Sequence, residues 1–276
     1  MTWQSLAVFI DYSNKAYRSG LGMNILILSG SPRKGGNTDL LVDAFVKGAS
    51  QKHQVEVVSV HDYKINPCVN SKATEMFDIS KMKWVREPRN YSINQECVEI
   101  VTAPHTDLWQ RTYYHFRNDN APVLQMETEE KFFSFVVKTD FSESHRRFDQ
   151  CGVALYLDSE NWLKASVEYE NEKFQHLGSV VTNRGYSDWA TTAIPADVKS
   201  MWYRLSRRED DYCIECSRDG VQFSQMRICH MLEGAGKIRF GIYACSPENS
   251  SFTARFTDMQ VTECAWKAHD GQQPDA

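Results

Sequence analysis

The chain has 276 residues, of which 42% are hydrophobic and 24% are charged, and its formal net charge is -5. This composition is ordinary for a globular protein and leaves room for one large or two small domains. A negative net charge without a basic run argues against a nucleic-acid partner, and no apolar stretch is long enough to cross a bilayer, which argues against a membrane partner.

The first 22 residues are unusual. A short apolar run at 6–10 is followed by polar residues, and the segment lacks both the cationic start and the long apolar core of a signal peptide. Met23 directly precedes a strongly apolar run. We therefore hypothesise that Met23 is the natural start and predict that 1–22 is a poorly ordered extension.

A strand–loop–helix–strand pattern follows. Residues 24–29 form a continuous apolar run, which is typical of a strand buried on both faces, and 55–60 are predicted to form a second apolar strand. A glycine-rich loop at 30–38 leads into a predicted helix that Asn37 or Thr38 can cap. The apolar positions of this helix recur at helical spacing: Leu40, Leu41, Ala44, Phe45 and Ala49.

Residues 23–68 resemble the start of the flavodoxin-like, NADPH-dependent FMN reductases, whose first loop reads Gly-Ser-Pro-Arg-Lys-x-Gly-Asn-Thr. In that family the loop holds the FMN phosphate, and the pattern ends here at Pro67-Cys68. The resemblance implies the following vestigial FMN phosphate loop: Ser29, Ser31, Arg33, Asn37 and Thr38.

The missing remainder of the flavodoxin-like pattern has two consequences. Loops after later strands, which hold the flavin ring at the switch point of such a sheet, are absent, so we predict weak or no FMN binding. The partial unit, residues 23–70, leaves Ile25, Ile27, Val57 and Val58 uncovered, so it must dock on its neighbour, form a homodimer or stay loosely folded. Residues 71–82 are polar and mixed, and we predict a linker.

Many short alternating runs with regular turns fill residues 83–267. Examples are 132–138 and 201–207, and Arg218-Asp219-Gly220 is a clear hairpin signal. This pattern predicts a mainly β domain built as a sandwich or jelly roll. Residues 268–276 are predicted to be a disordered tail.

The eight cysteines are scattered along the chain. Cys213 and Cys216 form a Cys-x-x-Cys inside an alternating strand, and no second pair completes a zinc site. We therefore predict no metal site, free structural cysteines and a cytoplasmic location, where thiols stay reduced.

The stretch 150–189 reads as three successive strands with polar side chains on one face. From Trp162, one row carries leucine, alanine and valine, and the other carries Trp162, Lys164, Ser166 and Glu168. This polar row is either a binding surface or a solvated outer face, and charged alternating strands are more often the latter.

Motifs across residues 83–266 resemble the family of unknown function 1349, whose relatives include the regulation-of-enolase proteins. The resemblance implies a concanavalin-A-like double-sheet jelly roll, similar to lectin and glucanase domains. These motifs are Trp84-x-x-Glu87-Pro88, Thr106-Asp107-x-Trp109, Gln150-x-Gly152, Trp162-x-Lys164-x-x-x-Glu168, Ser179-Val180-Val181-Thr182, Ser187-Asp188-Trp189, Ser217-x-Asp219-Gly220 and Ser246-Pro247.

In such an architecture a concave sheet holds sugars with aromatic rings and polar groups, so we expect a carbohydrate or small polar ligand. The predicted ligand-binding residues are Trp109, His115, Trp162, Lys164, Glu168, Thr182, Asp188 and Trp189, with Tyr114 beside them. Each of these tryptophans could equally well pack in the core instead of binding a ligand. For His115, the alternative to ligand binding is a structural role.

Three other functions stay open. A glycoside hydrolase needs two carboxylates, with Glu168 as the candidate catalytic residue and Asp188 or Asp107 as a second, but the usual Glu-x-Asp-x-x-Glu pattern is missing. The first loop leaves a residual FMN reductase open, and the enolase-linked relatives leave a cytosolic regulatory or interaction protein open. Binding is the preferred interpretation.

Overall fold

A computed structural model describes residues 6–10, 24–29, 35–59 and 77–267. The chain divides into two compact units, residues 1–72 and 73–276. The predicted tail at 268–276 and the loop residues Ser31 and Arg33 lie outside the described residues.

The first unit contains the predicted βαβ pattern. Strand β2 (Asn24–Ser29) is followed by helix α1 (Asn37–Ala49) and by β3 (Gln54–Ser59), which pairs with β2 in parallel. Strand β1 (Leu6–Ile10) pairs with the other edge of β2 in antiparallel register. The predicted poorly ordered extension is therefore wrong for residues 6–10, because the apolar run found a strand edge to pair with.

Two expectations for α1 are corrected. The N-cap is Gly36, without a side-chain hydrogen bond, and not Asn37 or Thr38. The face of α1 that packs on the strands carries Val42, whereas Leu40 and Leu41 are 64% and 63% exposed.

The strands of the first unit are better covered than expected. Ile25 and Ile27 of β2 are buried against Val42, because one helix suffices to cover the central strand. Val57 of β3 is exposed, as predicted for an incomplete unit.

The predicted linker is wrong in its second half. A short 3-10 helix spans Ile79–Lys81, and Ile79 and Met82 are buried in the core of the second unit. Phe77 packs on Phe135 with ring centroids 5.7 Å apart. Alternation-based reasoning missed this segment because its apolar residues follow no regular period.

The described part of the second unit has sixteen strands, and the predicted hairpin turn at Gly220 joins β16 to β17. The strands are β4 (Lys83–Trp84), β5 (Tyr91–Ile93), β6 (Cys97–Val101), β7 (Leu108–Gln110), β8 (Arg117–Asp119), β9 (Val123–Thr128), β10 (Phe132–Asp140), β11 (Gln150–Asp158), β12 (Asn161–Tyr169), β13 (Phe174–Asn183), β14 (Tyr186–Pro195), β15 (Ser200–Arg208), β16 (Asp211–Ser217), β17 (Ser224–His230), β18 (Ile238–Cys245) and β19 (Thr253–Thr262). The stretch predicted as three strands is in fact four, β11 to β14.

Fourteen of these strands form two antiparallel sheets, which confirms the β-sandwich. Sheet 1 has the order β17-β16-β15-β10-β19-β6-β5, and sheet 2 has the order β14-β13-β12-β11-β18-β9-β4. The main core lies between them and contains Phe135, Tyr203 and Leu163, all without solvent exposure. Fully burying one such side chain contributes roughly 1.5–3 kcal/mol, so this layer supplies most of the stability.

The two remaining strands, β7 and β8, pair with each other. A second, smaller cluster joins Leu108 and Trp109 of β7 to Ala154, Trp162 and Val180 on the outer face of sheet 2. This face is therefore covered by a ribbon from an earlier part of the chain, and the cover forms one wall of the site described next.

Candidate functional site

The alternation of β12 separates two buried faces. Leu163, Ala165 and Val167 point into the main core. Lys164 and Glu168 point to the opposite face, yet their exposed fractions are only 3% and 5%. The solvated outer face, which the pattern alone favoured, is therefore wrong: the polar row is covered.

A cavity of about 430 Å³ lies over this polar row. Its floor comes from sheet 2, and its walls come from the β7 region and from the turns around residues 147 and 247. The lining residues are Asp107, Trp109, Tyr114, Phe116, Arg147, Phe148, Gln150, Lys164, Glu168, Val180, Trp189, Pro247 and Glu248.

Hydroxyl groups of β13 and β14 hold β7 in place. The backbone N–H of Gln110 donates to Ser187 Oγ over 2.9 Å, and Thr182 Oγ1 lies 2.8 Å from the same oxygen. The Gln110 side chain donates to the carbonyl of Ser159. These buried contacts fix the strand that carries Trp109, and so they set the position of the indole ring at the cavity wall.

The loop between β7 and β8 has a strained backbone. Arg111, Tyr113 and His115 all have φ between 56° and 62°, in the left-handed region that non-glycine residues rarely adopt. The N–H groups of Thr112 and Tyr114 each donate to the carbonyl two residues earlier, over 2.7 Å, which closes two consecutive γ-turns. Strain of this kind tends to cluster at ligand sites.

Arg111 anchors this loop to sheet 2. Its guanidinium donates to the Gly185 carbonyl and to Glu160 Oε1, both over 3.0 Å. Gly185 has φ 74°, and a Cβ there would collide with that guanidinium. The anchor therefore requires glycine at 185, and it holds Tyr114 and Phe116 at the rim of the cavity.

Lys164 is the buried cation of the cavity floor. Its Nζ donates to Gln150 Oε1 over 2.9 Å and lies 3.4 Å from Asp107 Oδ1. Gln150 Oε1 also accepts from the Tyr243 hydroxyl over 2.8 Å. Burial acts to lower the pKa of Lys164, but the charge of Asp107 opposes it and the pKa is raised, so Lys164 stays an ammonium.

Glu168 is buried four residues further along the same row. Burial first, and then the charges of Asp107 and Glu170, raise the pKa of its carboxyl to about 7 against the opposing effect of Lys164. Among the residues that the structure describes, no group donates a hydrogen bond to this carboxyl. A buried carboxyl without a donor is costly, which makes Glu168 a strong site candidate.

Two tryptophans complete the cavity wall. The ring centroids of Trp109 and Trp189 are 6.3 Å apart in an edge-to-face arrangement, and Tyr114 packs edge-on to Trp109 at 5.5 Å. Both indole N–H groups are buried, and no described protein group accepts from either of them. Because both indole nitrogens have almost no accessible surface, the two tryptophans offer their rings, and not these N–H groups, to the cavity.

A family model described as "Protein of unknown function (DUF1349)" matches residues 84–264. The chain belongs to this family. The match coincides with the β-sandwich unit and contains every lining residue of the cavity. A second model, "NADPH-dependent FMN reductase", matches residues 23–90. Its last residues overlap the sandwich, where β4 already pairs with β9.

The DUF1349 relatives include a yeast protein. The chain is 30% identical over 203 residues to "Regulation of enolase protein 1" of Saccharomyces cerevisiae, covering 73% of this chain and 98% of that protein. A crystal structure described as a functionally unknown protein from Saccharomyces cerevisiae has a TM-score of 0.62 and 26% identity, covering 67% of this chain and 98% of the other.

Part of a larger enzyme shares the fold. The GH43 protein BlXynB of Bacillus licheniformis has a TM-score of 0.52 and 19% identity, and the alignment covers 66% of this chain but 37% of that one. At this identity the likeness shows the fold alone.

In the described part of the DUF1349 chain, no helix is long and apolar enough to cross a membrane.

Four of the eight predicted ligand residues of the DUF1349 domain line the cavity: Trp109, Lys164, Glu168 and Trp189. The other four do not line it, so the prediction that they contact a ligand in this cavity is wrong. Trp162 is packed beneath the cavity in the smaller cluster, where its N–H donates to Ser159. Thr182 is a buried support of Ser187.

His115 and Asp188 lie elsewhere for different reasons. His115 is exposed on the strained loop and does not line the cavity. Asp188 points to the opposite face of β14 from Trp189, and its carboxylate pairs with Arg227 over 2.8 Å. Alternation within β14 implies this opposition, because consecutive residues cannot share a face.

Several lining residues were missed. Arg147 and Phe148 precede β11, and Pro247 and Glu248 follow β18, so they enter through turns that have no periodic pattern. Gln150 gave a usable signal, since it is the polar residue that begins β11, where it pairs in register with Glu168.

The predicted FMN loop is described only in part. Ser29 is buried at the end of β2, with a hydroxyl that no described group hydrogen-bonds, and Thr38 is buried in the first turn of α1. Asn37 begins the helix. An orphaned hydroxyl at this position is compatible with a phosphate, but the central loop residues lie outside the described part, and FMN binding stays a prediction.

The seven described cysteines are free. Cys213 and Cys216 lie three positions apart on β16 and therefore point to opposite faces of the sheet. Burial raises the pKa of Cys213 to about 12, so it is no reactive thiolate.

Proposed function

We propose that the cavity of the sandwich binds a carbohydrate or a similar small polyol. One observation carries the proposal: between the rings of Trp109 and Trp189, a single cavity brings together two buried polar groups, the Lys164 ammonium and the Glu168 carboxyl, to which no described group donates. Each is a hydrogen-bonding group that a hydroxylated ligand can satisfy. A purely apolar ligand would leave the Glu168 carboxyl without a donor, at a cost of about 1–3 kcal/mol.

The walls suit the apolar faces of a sugar ring. Trp109, Tyr114, Phe116, Phe148 and Trp189 line the same space. Aromatic rings offer large, rigid contact surfaces, and the cavity volume of about 430 Å³ falls in the range of ligand pockets. The cavity therefore offers both polar and aromatic side chains, which suits a sugar ring with polar edges and apolar faces.

Isothermal titration calorimetry and thermal-shift screening with a panel of monosaccharides and disaccharides test the proposal. We expect binding by at least one class of sugar and a loss of about tenfold in affinity for Tyr114→Ala, which removes one wall. Tyr91→Ala is the control, because Tyr91 lies on β5 of sheet 1, is 40% exposed and does not line the cavity. Folded protein that binds no sugar in either assay overturns the proposal.

Hydrolysis of a glycosidic bond is a second candidate, and the environment of Glu168 favours it. A carboxyl with a pKa near 7 is suited to donate a proton at neutral pH, while Asp107, which lies beside Lys164, would supply the second carboxylate. Release of nitrophenol from a panel of nitrophenyl glycosides tests it. We expect activity in the wild type that Glu168→Gln abolishes, and no release from any glycoside removes this candidate but leaves binding intact.

A further inference from the structure

Most charged side chains around the cavity have a partner of opposite charge, but among the described residues the carboxyl of Glu168 has none in hydrogen-bonding contact. Lys164 lies beside Asp107. Arg147 pairs with Glu170 over 3.0 Å, and Glu248 pairs with Arg146 over 3.3 Å. Within the described residues, this leaves the carboxyl of Glu168 without a cation in hydrogen-bonding contact.

The aromatic walls favour positive charge in the same space. The faces of tryptophan, tyrosine and phenylalanine rings carry negative electrostatic potential, and a cation within about 6 Å of a ring centroid is attracted to it. The protein already uses this attraction at the rim, where the Arg147 guanidinium lies 4.6 Å from the centroid of Phe148. Trp109 and Trp189 line the same cavity as Glu168.

We propose that the ligand of this cavity is an amino sugar, whose protonated amine donates to the Glu168 carboxylate while its hydroxyls meet Lys164 and its ring packs against the tryptophans. The inference rests on the proposed sugar binding and specifies its class. A primary ammonium fits better than a quaternary one, because a quaternary group has no N–H and would leave the carboxyl without a donor.

Binding of such a ligand is coupled to a proton. The pKa of Glu168 is raised to about 7 by burial, so near neutral pH the carboxyl of the free protein is partly protonated. A bound ammonium stabilises the carboxylate and lowers its pKa, so binding between pH 6 and 7 releases protons. Several charged or titratable groups face Glu168, interact with it or line the cavity: Asp107, Tyr114, Arg147, Lys164, Glu170, His176, Tyr203, Tyr243, Cys245 and Glu248.

Calorimetry of the full chain at pH 6.5 tests the inference with three probes: D-glucose, D-glucosamine and 6-amino-6-deoxy-D-glucose. We expect one amino sugar to bind about tenfold or more tightly than glucose, the contribution of a hydrogen bond to a charged group. Titrations in two buffers of different ionisation enthalpy should show proton release for the amino sugar only.

Variants make the outcome specific. Glu168→Gln should lose the preference for the amino sugar and its proton release. Glu172→Gln, which removes the same charge from the exposed turn after β12, should keep both. Equal affinities for glucose and the amino sugars, or a preference unchanged in Glu168→Gln, overturn the inference and leave sugar binding in place. Failure of all three probes and of the wider sugar panel to bind overturns the proposed function and, with it, the inference.

Discussion

Two buried ionisable side chains of the sandwich differ in their hydrogen bonds: the described residues supply partners for Arg207 and none for Glu168. Arg207 of β15 has no solvent exposure, and its guanidinium donates to four backbone carbonyls over 2.6–2.9 Å. Every carbonyl comes from a turn near that end of the sandwich, so the cation ties the turns together. Glu168 of β12 is buried almost as deeply, but no described group donates to it.

The comparison separates a structural polar cluster from a candidate binding site. Both lie in a low-dielectric interior, where an unpaired charge is costly. The Arg207 cluster is complete within the chain, whereas the cluster around Glu168 needs donors and acceptors from outside. An incomplete buried cluster that faces a cavity is therefore a stronger indication of ligand binding than burial or charge alone.

Arg207→Met should have the largest effect and would break the comparison on its structural side. It leaves the carbonyls of Glu130, Glu209 and Gly236 without their side-chain donor, so we expect a loss of about 3–5 kcal/mol in the free energy of unfolding. Urea denaturation measures it. Arg218→Met, in an exposed turn, is the control and should stay within about 0.5 kcal/mol of the wild type. Equal effects of the two changes would show that Arg207 is not a clamp.

Glu168→Gln should remove a pH dependence of stability. Because the pKa of Glu168 is raised from 4.5 to about 7, the folded protein holds a proton that the unfolded chain has released. This contribution is fully present below pH 4.5 and is lost as the pH rises through about 7, for a total of about 3 kcal/mol.

The difference in unfolding free energy, variant minus wild type, should therefore rise by about 3 kcal/mol between pH 4.5 and pH 8, and urea denaturation across this range measures it. The curve for Glu172→Gln should run parallel to that of the wild type. A constant difference between Glu168→Gln and the wild type would show that the carboxyl is already satisfied.

Replacing Trp189 or Trp162 by phenylalanine should have the smallest effect on stability. The pair sharpens the comparison, because only the N–H of Trp162 has an acceptor among the described residues. Trp189→Phe removes an N–H that has no protein acceptor, so the free protein should lose little stability, while sugar affinity falls. Trp162→Phe removes an N–H that donates to the Ser159 carbonyl over 3.3 Å, so it should lower the free energy of unfolding by about 1 kcal/mol. Thermal unfolding measures both variants. If Trp189→Phe destabilised the protein as much as Trp162→Phe, the Trp189 N–H would have a partner in the free state.

Local patterns predicted the scaffold because strand alternation and turn residues act over a few positions. The rows of β12 follow from period two, and the hairpin at Gly220 follows from glycine chemistry. The same rule separates Trp189 from Asp188. In contrast, alternation defines the faces of a strand without indicating what covers them.

The cover over the polar row comes from distant parts of the chain. Trp109 lies more than fifty residues before Lys164, and the turn at Glu248 lies eighty residues after Glu168. For this reason Trp162, whose residue type and row matched a sugar platform, could not be distinguished from a core residue. The site depends on long-range packing, which has no local signature.

A crystal structure of the protein soaked in D-glucose and, separately, in D-glucosamine tests the central claim most directly. We predict a sugar ring in the cavity, in contact with Trp109 or Trp189, with hydroxyl or amine groups within hydrogen-bonding distance of Lys164 or Glu168. Ordered water alone in the cavity, at sugar concentrations that saturate binding in solution, would contradict it.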